Sequence, residues 1–119
     1  MDRKPIEQVV IDYLQNKLSC GVHASEPEQP RPGEAYKYCV VQRTGGSERD
    51  HIRHTTVAVL SYADTLYKAA VLHEKVIAAV QELVELPEIS GCRLVGDAAF
   101  SKTLTKQPRY QAVFDITHY

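Results

Sequence analysis

The stretch richest in reactive residue types runs from Val41 to Arg53, VQRTGGSERDHIR. It sets two adjacent glycines, Gly45 and Gly46, among Arg43, Arg49, Arg53, Glu48, Asp50 and His51, with His54 just beyond. Three chemistries use such residues: anion cradling by glycine backbone, metal ligation by imidazole and carboxylate, and polar docking onto a partner. A phosphate loop of the Walker kind needs G-x-x-x-x-G-K-[ST] between a strand and a helix. Here the glycines are adjacent and a strand-like run follows them. They predict a hairpin turn with positive φ. His51 and His54 are three apart, which on a strand sends them to opposite faces and away from a shared metal. Cys39 could approach them across the hairpin, yet a zinc site requires further ligands.

The remaining reactive side chains are scattered. No serine or cysteine sits in a G-x-S-x-G elbow. Glu7, Asp12, Glu74, Glu82 and Glu85 fall on helix surfaces or loops. Asp97 and Asp115 fall on the last two predicted strands and could be neighbours there; two carboxylates on an exposed sheet face are a thin basis for acid–base work. His73 lies on the inner stripe of a helix and reads as a hydrogen-bonded core residue. The chain is therefore expected to be no enzyme and to use neither cofactor nor metal. The three cysteines, Cys20, Cys39 and Cys92, are odd in number and widely spaced. That predicts free thiols in a reducing compartment. A net charge of -1 supplies no global basic field for nucleic acid. The arginines of the hairpin are not interleaved with aromatics, so no stacking platform is expected there.

The elements that must position these residues can be read from periodicity. With 119 residues, a single domain spanning 1–119 is expected, large enough for one core. The N-terminus lacks an apolar h-region, and no run approaches a membrane span, so cytoplasmic synthesis is expected. Ile6, Val9, Val10, Tyr13, Leu14 and Leu18 make one helical stripe, with Pro5 in the first turn and Gly21 as a left-handed cap. A short extended piece follows at 22–25. The segment 26–34, EPEQPRPGE, reads as an exposed connector. Strands are expected at 36–44 and 52–62, with the turn at Gly45-Gly46. Each arm spans roughly 30 Å, apolar on both faces at its base and polar at its tip.

A long helix is predicted over 65–86, with Asp64 as N-cap and Pro87 as the stop. Its inner stripe is Leu66, Ala69, Ala70, His73, Ile77, Val80 and Val84, with Val76 and Leu83 beside it. Strands at 91–100 and 110–118 finish the chain, joined by the connection 101–108. In the last, Tyr110, Ala112, Phe114 and Ile116 share a face. The expected architecture is α+β: an antiparallel-rich sheet of about four to five strands, two helices on one face, and a long protruding β-hairpin.

This order of elements carries short motifs: YKYCVVQRTGG closing the first long strand, VAVLSYADTLYKAAVLHEKVIAAVQEL over the second strand and helix, and PRYQAVFDITHY at the end. On these the chain resembles the tail-terminator proteins, also called tail-completion or head–tail joining proteins, of long-tailed phages and prophages. The resemblance covers nearly the whole chain. It implies a non-enzymatic ring, usually of six copies, that caps the tail tube, stops its polymerisation and meets the head connector. The partners would be further copies, the tube protein and connector proteins. DNA would only pass through the lumen, and the protein would reside in the tail or neck of the virion. By analogy the hairpin tip reaches a neighbour or the tube, so the expected contact residues are Arg43, Thr44, Gly45, Gly46, Ser47, Glu48, Arg49 and Asp50. The alternative is a small ferredoxin-like domain that binds a ligand or RNA, which an exposed basic and aromatic sheet face would favour.

Overall fold

The computed structural model describes residues 4–25, 27, 35–100 and 108–119. The proline-rich connector 26–34 and the connection 101–108 lie, apart from Pro27 and Pro108, outside the described residues. Helix α1 spans Ile6–Lys17 and buries Ile6, Val10, Ile11, Tyr13 and Leu14. It ends on Leu18, whose extended backbone still donates its N–H to the Leu14 carbonyl. Gly21 is therefore no helix cap; it opens the short strand β1, Gly21–His23. Strands β2, Lys37–Arg49, and β3, Ile52–Ala63, form a hairpin.

Helix α2, Leu66–Gln81, starts at Thr65, not at Asp64. The Thr65 hydroxyl accepts the Lys68 N–H at 3.1 Å, while the Asp64 carboxylate takes the Lys68 ammonium instead. A 3-10 turn, Glu82–Glu85, carries the chain towards Pro87. The buried stripe is Ala69, Leu72, His73, Val76, Ala79 and Val80, continued by Leu83. Leu66 and Val84, expected inside, are exposed. Leu66 occupies the first residue of the helix, and the tighter winding of the 3-10 turn rotates Val84 outward. Among the described residues no helix is long and apolar enough to cross a membrane.

Strands β4, Ile89–Phe100, and β5, Arg109–His118, complete a five-stranded sheet of order β1-β2-β3-β5-β4. The β1–β2 pair is parallel and the other pairs are antiparallel. Both helices pack on one face, so the fold is the α+β sheet-and-helix arrangement expected. On that face Val41, Val57, Val59, Ala112, Phe114 and Ile116 meet Val10, Leu14, Leu72, Val76 and Val80 in one core. Alternation in β5 places Ala112, Phe114 and Ile116 inward, as expected from their period of two. On the opposite face Tyr38, Val40, Leu60 and Tyr62 form a second cluster with Tyr36. The base of the hairpin thus buries apolar residues on both sides.

Two features of the hairpin differ from expectation. The turn lies at Asp50-His51, whose φ angles of 52° and 66° are left-handed. Gly45 and Gly46 sit inside β2, opposite Thr56 and Thr55. The two-residue turn takes Asp and His because the cross-strand pairing continues from Gly45↔Thr56 to Arg49↔Ile52, leaving only those two residues to reverse the chain. Nor does the hairpin stand free of the sheet. β5 accompanies β3 from Tyr62↔Arg109 to Arg53↔His118, so the hairpin is flanked along nearly its whole length.

Candidate partner-contact site on the hairpin

The outer half of β2 begins where its apolar run stops. Val41 is 1% exposed, whereas every residue from Gln42 to Arg49 is exposed. Among the described residues, β1 flanks β2 only at Tyr38, Cys39 and Val40. Beyond Val40 the outer edge of β2 carries no strand partner among the described residues. Unpaired N–H and C=O groups on such an edge are a template for pairing with another chain.

The eight expected contact residues divide by role. Arg43 reaches back to α1, donating from Nε to Glu7 Oε2 at 2.6 Å and from Nη2 to Glu7 Oε1 at 3.3 Å. This two-pronged pair fixes the start of α1 over the sheet. Thr44 is the extra residue of a bulge between Arg43↔Val57 and Gly45↔Thr56, and its hydroxyl donates to the Thr56 carbonyl at 3.3 Å. The bulge shifts the side-chain alternation by one, so Gly46 and Glu48 fall opposite Thr55 and Arg53. Ser47 faces His54, and Arg49 faces Ile52. Asp50 belongs to the turn itself.

Arg43, Gly45, Gly46, Ser47, Glu48, Arg53 and Thr55 line an open cleft of about 600 Å³. Gly46 contributes to this hollow by having no side chain to fill it. A Cβ there would lie 3.0 Å from the His54 carbonyl oxygen, so Gly46 is needed for close approach of the strands. Below the cleft, Thr55 Oγ1 and His118 Nε2 share a buried hydrogen bond of 2.8 Å. Arg53, Thr55 and His118 were not expected in the site. Placing the turn at Asp50-His51 brings out the first two, and continuing the β5 alternation by one step finds the third.

Other expected groupings separate in three dimensions. Cys39 pairs with Ser61 while His54 pairs with Ser47, so cysteine and histidine sit at opposite ends of the hairpin. His54 Nδ1 instead meets the Thr117 hydroxyl at 3.2 Å. Among the described residues no cluster of three His, Cys, Asp or Glu residues could hold a metal ion. Asp97 and Asp115 are not neighbours: Asp97 lies opposite Ala112, on the helix face, and Asp115 is of opposite parity. Asp97 accepts from, or is paired with, His73 Nε2 at 3.1 Å. His73 is 2% exposed and packs against the Tyr110 ring, the core histidine its helix position implies. Asp115 accepts from the Thr56 hydroxyl at 3.0 Å and from Arg93 at 3.3 Å.

The face away from the helices bears aromatics, with Tyr38 and Tyr62 stacked at 4.8 Å. They are 7% and 2% exposed, so their ring faces are closed to an incoming base. No protein-family model matches the chain, and no curated protein matches it.

Proposed function

We propose that this chain is a structural subunit of a phage or prophage tail. Copies assemble into a ring, six by resemblance, that caps the tail tube, ends its polymerisation and offers a surface to the head connector. It works by contact and without a catalytic residue. It acts in the tail or neck of the virion after synthesis in the bacterial cytoplasm. The observation that carries this reading is the outer half of β2: eight consecutive exposed residues, Gln42–Arg49, on a strand edge that has no partner strand among the described residues. A closed ring uses one head-to-tail interface, so each subunit needs two unlike surfaces on opposite flanks. The sheet supplies two unlike edges, the outer half of β2 on one side and β4 on the other. The formal charge of -1 suits a lumen through which DNA passes without being held.

The test uses the purified chain and tubes grown from the tube protein encoded beside it. The expected result is a ring by light scattering and tubes that stop growing when the protein is added, seen by electron microscopy. Tubes that elongate undisturbed in its presence, bearing no density at their ends, would overturn the reading.

A further inference from the structure

Helix α2 and the 3-10 turn that extends it carry opposite charge at their two ends. At the start, Tyr67 is 78% exposed and Val71 is 38% exposed. With the buried Leu72 they floor a groove of about 260 Å³ rimmed by Lys37, Lys68 and Lys75. Tyr67, Val71 and Lys75 recur at intervals of four and so share one side of the helix. Lys37 opens β2 and donates to the Ser19 hydroxyl at 3.2 Å. Lys68 meets the Asp64 carboxylate at 3.3 Å; among the described residues no other carboxylate pairs with these three lysines. Glu74 is exposed but lies about 100° round the helix from Lys75, outside the groove lining.

At the far end, Val84 is 51% exposed, turned outward by the 3-10 winding. Glu82, Glu85 and Glu88 flank it in sequence and are all exposed. Of the cations among the described residues, only Lys17 pairs with them, at 3.6 Å from Glu82 and 3.9 Å from Glu85. Lys4 shares a cleft with Glu88 but is taken by Asp12 at 2.6 Å. One end thus sets three lysines against one carboxylate, and the other sets three carboxylates against one lysine. Each has an apolar centre, a hollow at the first and an exposed valine at the second. Tyr67 and Val84 are about 25 Å apart along the axis, so the two ends cannot meet within one molecule. They also lie on opposite flanks. The groove wall at Lys37 adjoins β1, one edge of the sheet, while the turn leads through Glu88 into β4, the other edge.

We propose that the lysine-rimmed groove of one copy receives Val84 and its flanking glutamates from the next copy. The inference rests on the ring reading of the chain and names a contact that closes the ring. Val84 enters against Tyr67 and Val71, and the glutamates face the lysines. The contact removes apolar surface from water and pairs charges that a single copy leaves in excess. Two copies meeting groove to groove would set lysines against lysines, which disfavours a two-fold dimer. The contact is therefore heterologous: each copy gives its groove to one neighbour and its 3-10 turn to the other.

The test is charge reversal on the full-length chain, read by light scattering over a range of concentrations with thermal unfolding alongside. One variant carries Lys68→Glu and Lys75→Glu; the other carries Glu82→Lys and Glu88→Lys. Each alone should need at least about tenfold more protein to assemble than wild type, since like charges then face one another. An equal mixture of the two should assemble again, because each groove finds a complementary turn on the other variant. Where a reversed variant does not fold, Tyr67→Ser and Val84→Ser, both at exposed positions, should each weaken assembly of a folded protein. Wild type that stays monomeric overturns the ring reading and this contact together. Wild type that assembles while either reversed variant assembles equally well, or while their mixture stays apart, overturns this contact alone. So does a folded Tyr67→Ser or Val84→Ser protein that assembles as wild type does. Loss confined to the groove variant would give the groove to an acidic partner other than a second copy.

Discussion

At the scale of single residues, Tyr13 shows how a side chain on a helical stripe acquires a second duty. Its ring is buried, while its hydroxyl donates to Glu85 Oε1 at 2.7 Å and lies 3.2 Å from the Glu82 carbonyl oxygen. Lys17 bridges both carboxylates from above, at 3.6 and 3.9 Å, so α1 is latched to the 3-10 turn. Burial, then the hydrogen bond to Glu85 and the two nearby negative charges, pushes the Tyr13 phenol up to about 12 from an ordinary value of 10.0. The folded protein therefore holds this proton more tightly than the unfolded chain does. Its contribution to stability is complete below about pH 10 and is lost as pH rises through about 12. Tyr13→Phe should lower stability near neutrality by about 1 kcal/mol and flatten the decline between those pH values. Thermal unfolding across pH 9 to 12 checks this; parallel curves for variant and wild type would assign the alkaline loss to another group. Of all this the helical period announces only the buried ring. The partners, 69 and 72 residues away in sequence, follow from how the helices pack.

At the scale of elements, the hairpin shows what periodicity conveys and what it conceals. The existence of both strands, the polar gradient along them and the inward face of β5 follow from residue types alone. The turn does not, because two glycines in a row are a stronger turn signal than Asp-His. The glycines serve the bulge after Thr44 and the tight approach of β2 to β3. Bulges are set by pairing between strands, which a single strand's pattern does not carry. The inner stripe of α2 was legible at Ala69, His73 and Val80, while the misplaced Leu66 and Val84 sit where the helix begins and where its winding changes. The two glycines make separable predictions. A Cβ at Gly45 meets nothing within 4 Å, so Gly45→Ala should stabilise the protein by about 0.5–1 kcal/mol by restricting the unfolded chain. Gly46→Ala drives its Cβ to 3.0 Å from the His54 carbonyl, so it should force the strands apart and cost about 1–3 kcal/mol. Urea unfolding of the two variants checks the opposite signs. Equal effects would mean that the strands relax freely at this point and that Gly46 is not held by close packing.

At the scale of the whole molecule, the hairpin sets the shape. The protein measures 49 × 27 × 22 Å, and thirteen residues of β2 extend about 43 Å. The apolar core occupies the base of that length, and the charged outer strand occupies the other end. Such a division keeps folding and partner contact on separate residues, and the two can be told apart by mutation. Arg43 lies where they meet. Its pair with Glu7 ties α1 to β2, with side chains 36% and 25% exposed. Arg43→Ala should therefore lower folding stability by about 0.5–1 kcal/mol. Arg49, by contrast, is exposed at the far end of β2 and its removal disturbs no core contact. Arg49→Glu should leave the unfolding midpoint within about 0.5 kcal/mol of wild type. If the outer strand is the surface that copies or the tube engage, the same reversal should weaken ring formation and capping, because a head-to-tail contact repeats the fault at every interface. Light scattering at several protein concentrations, with thermal unfolding alongside, separates the two effects. An Arg49→Glu protein that folds, assembles and caps as wild type does would move the contact surface away from the hairpin end, leaving the β4 edge and the outer side of α2 as the faces to examine.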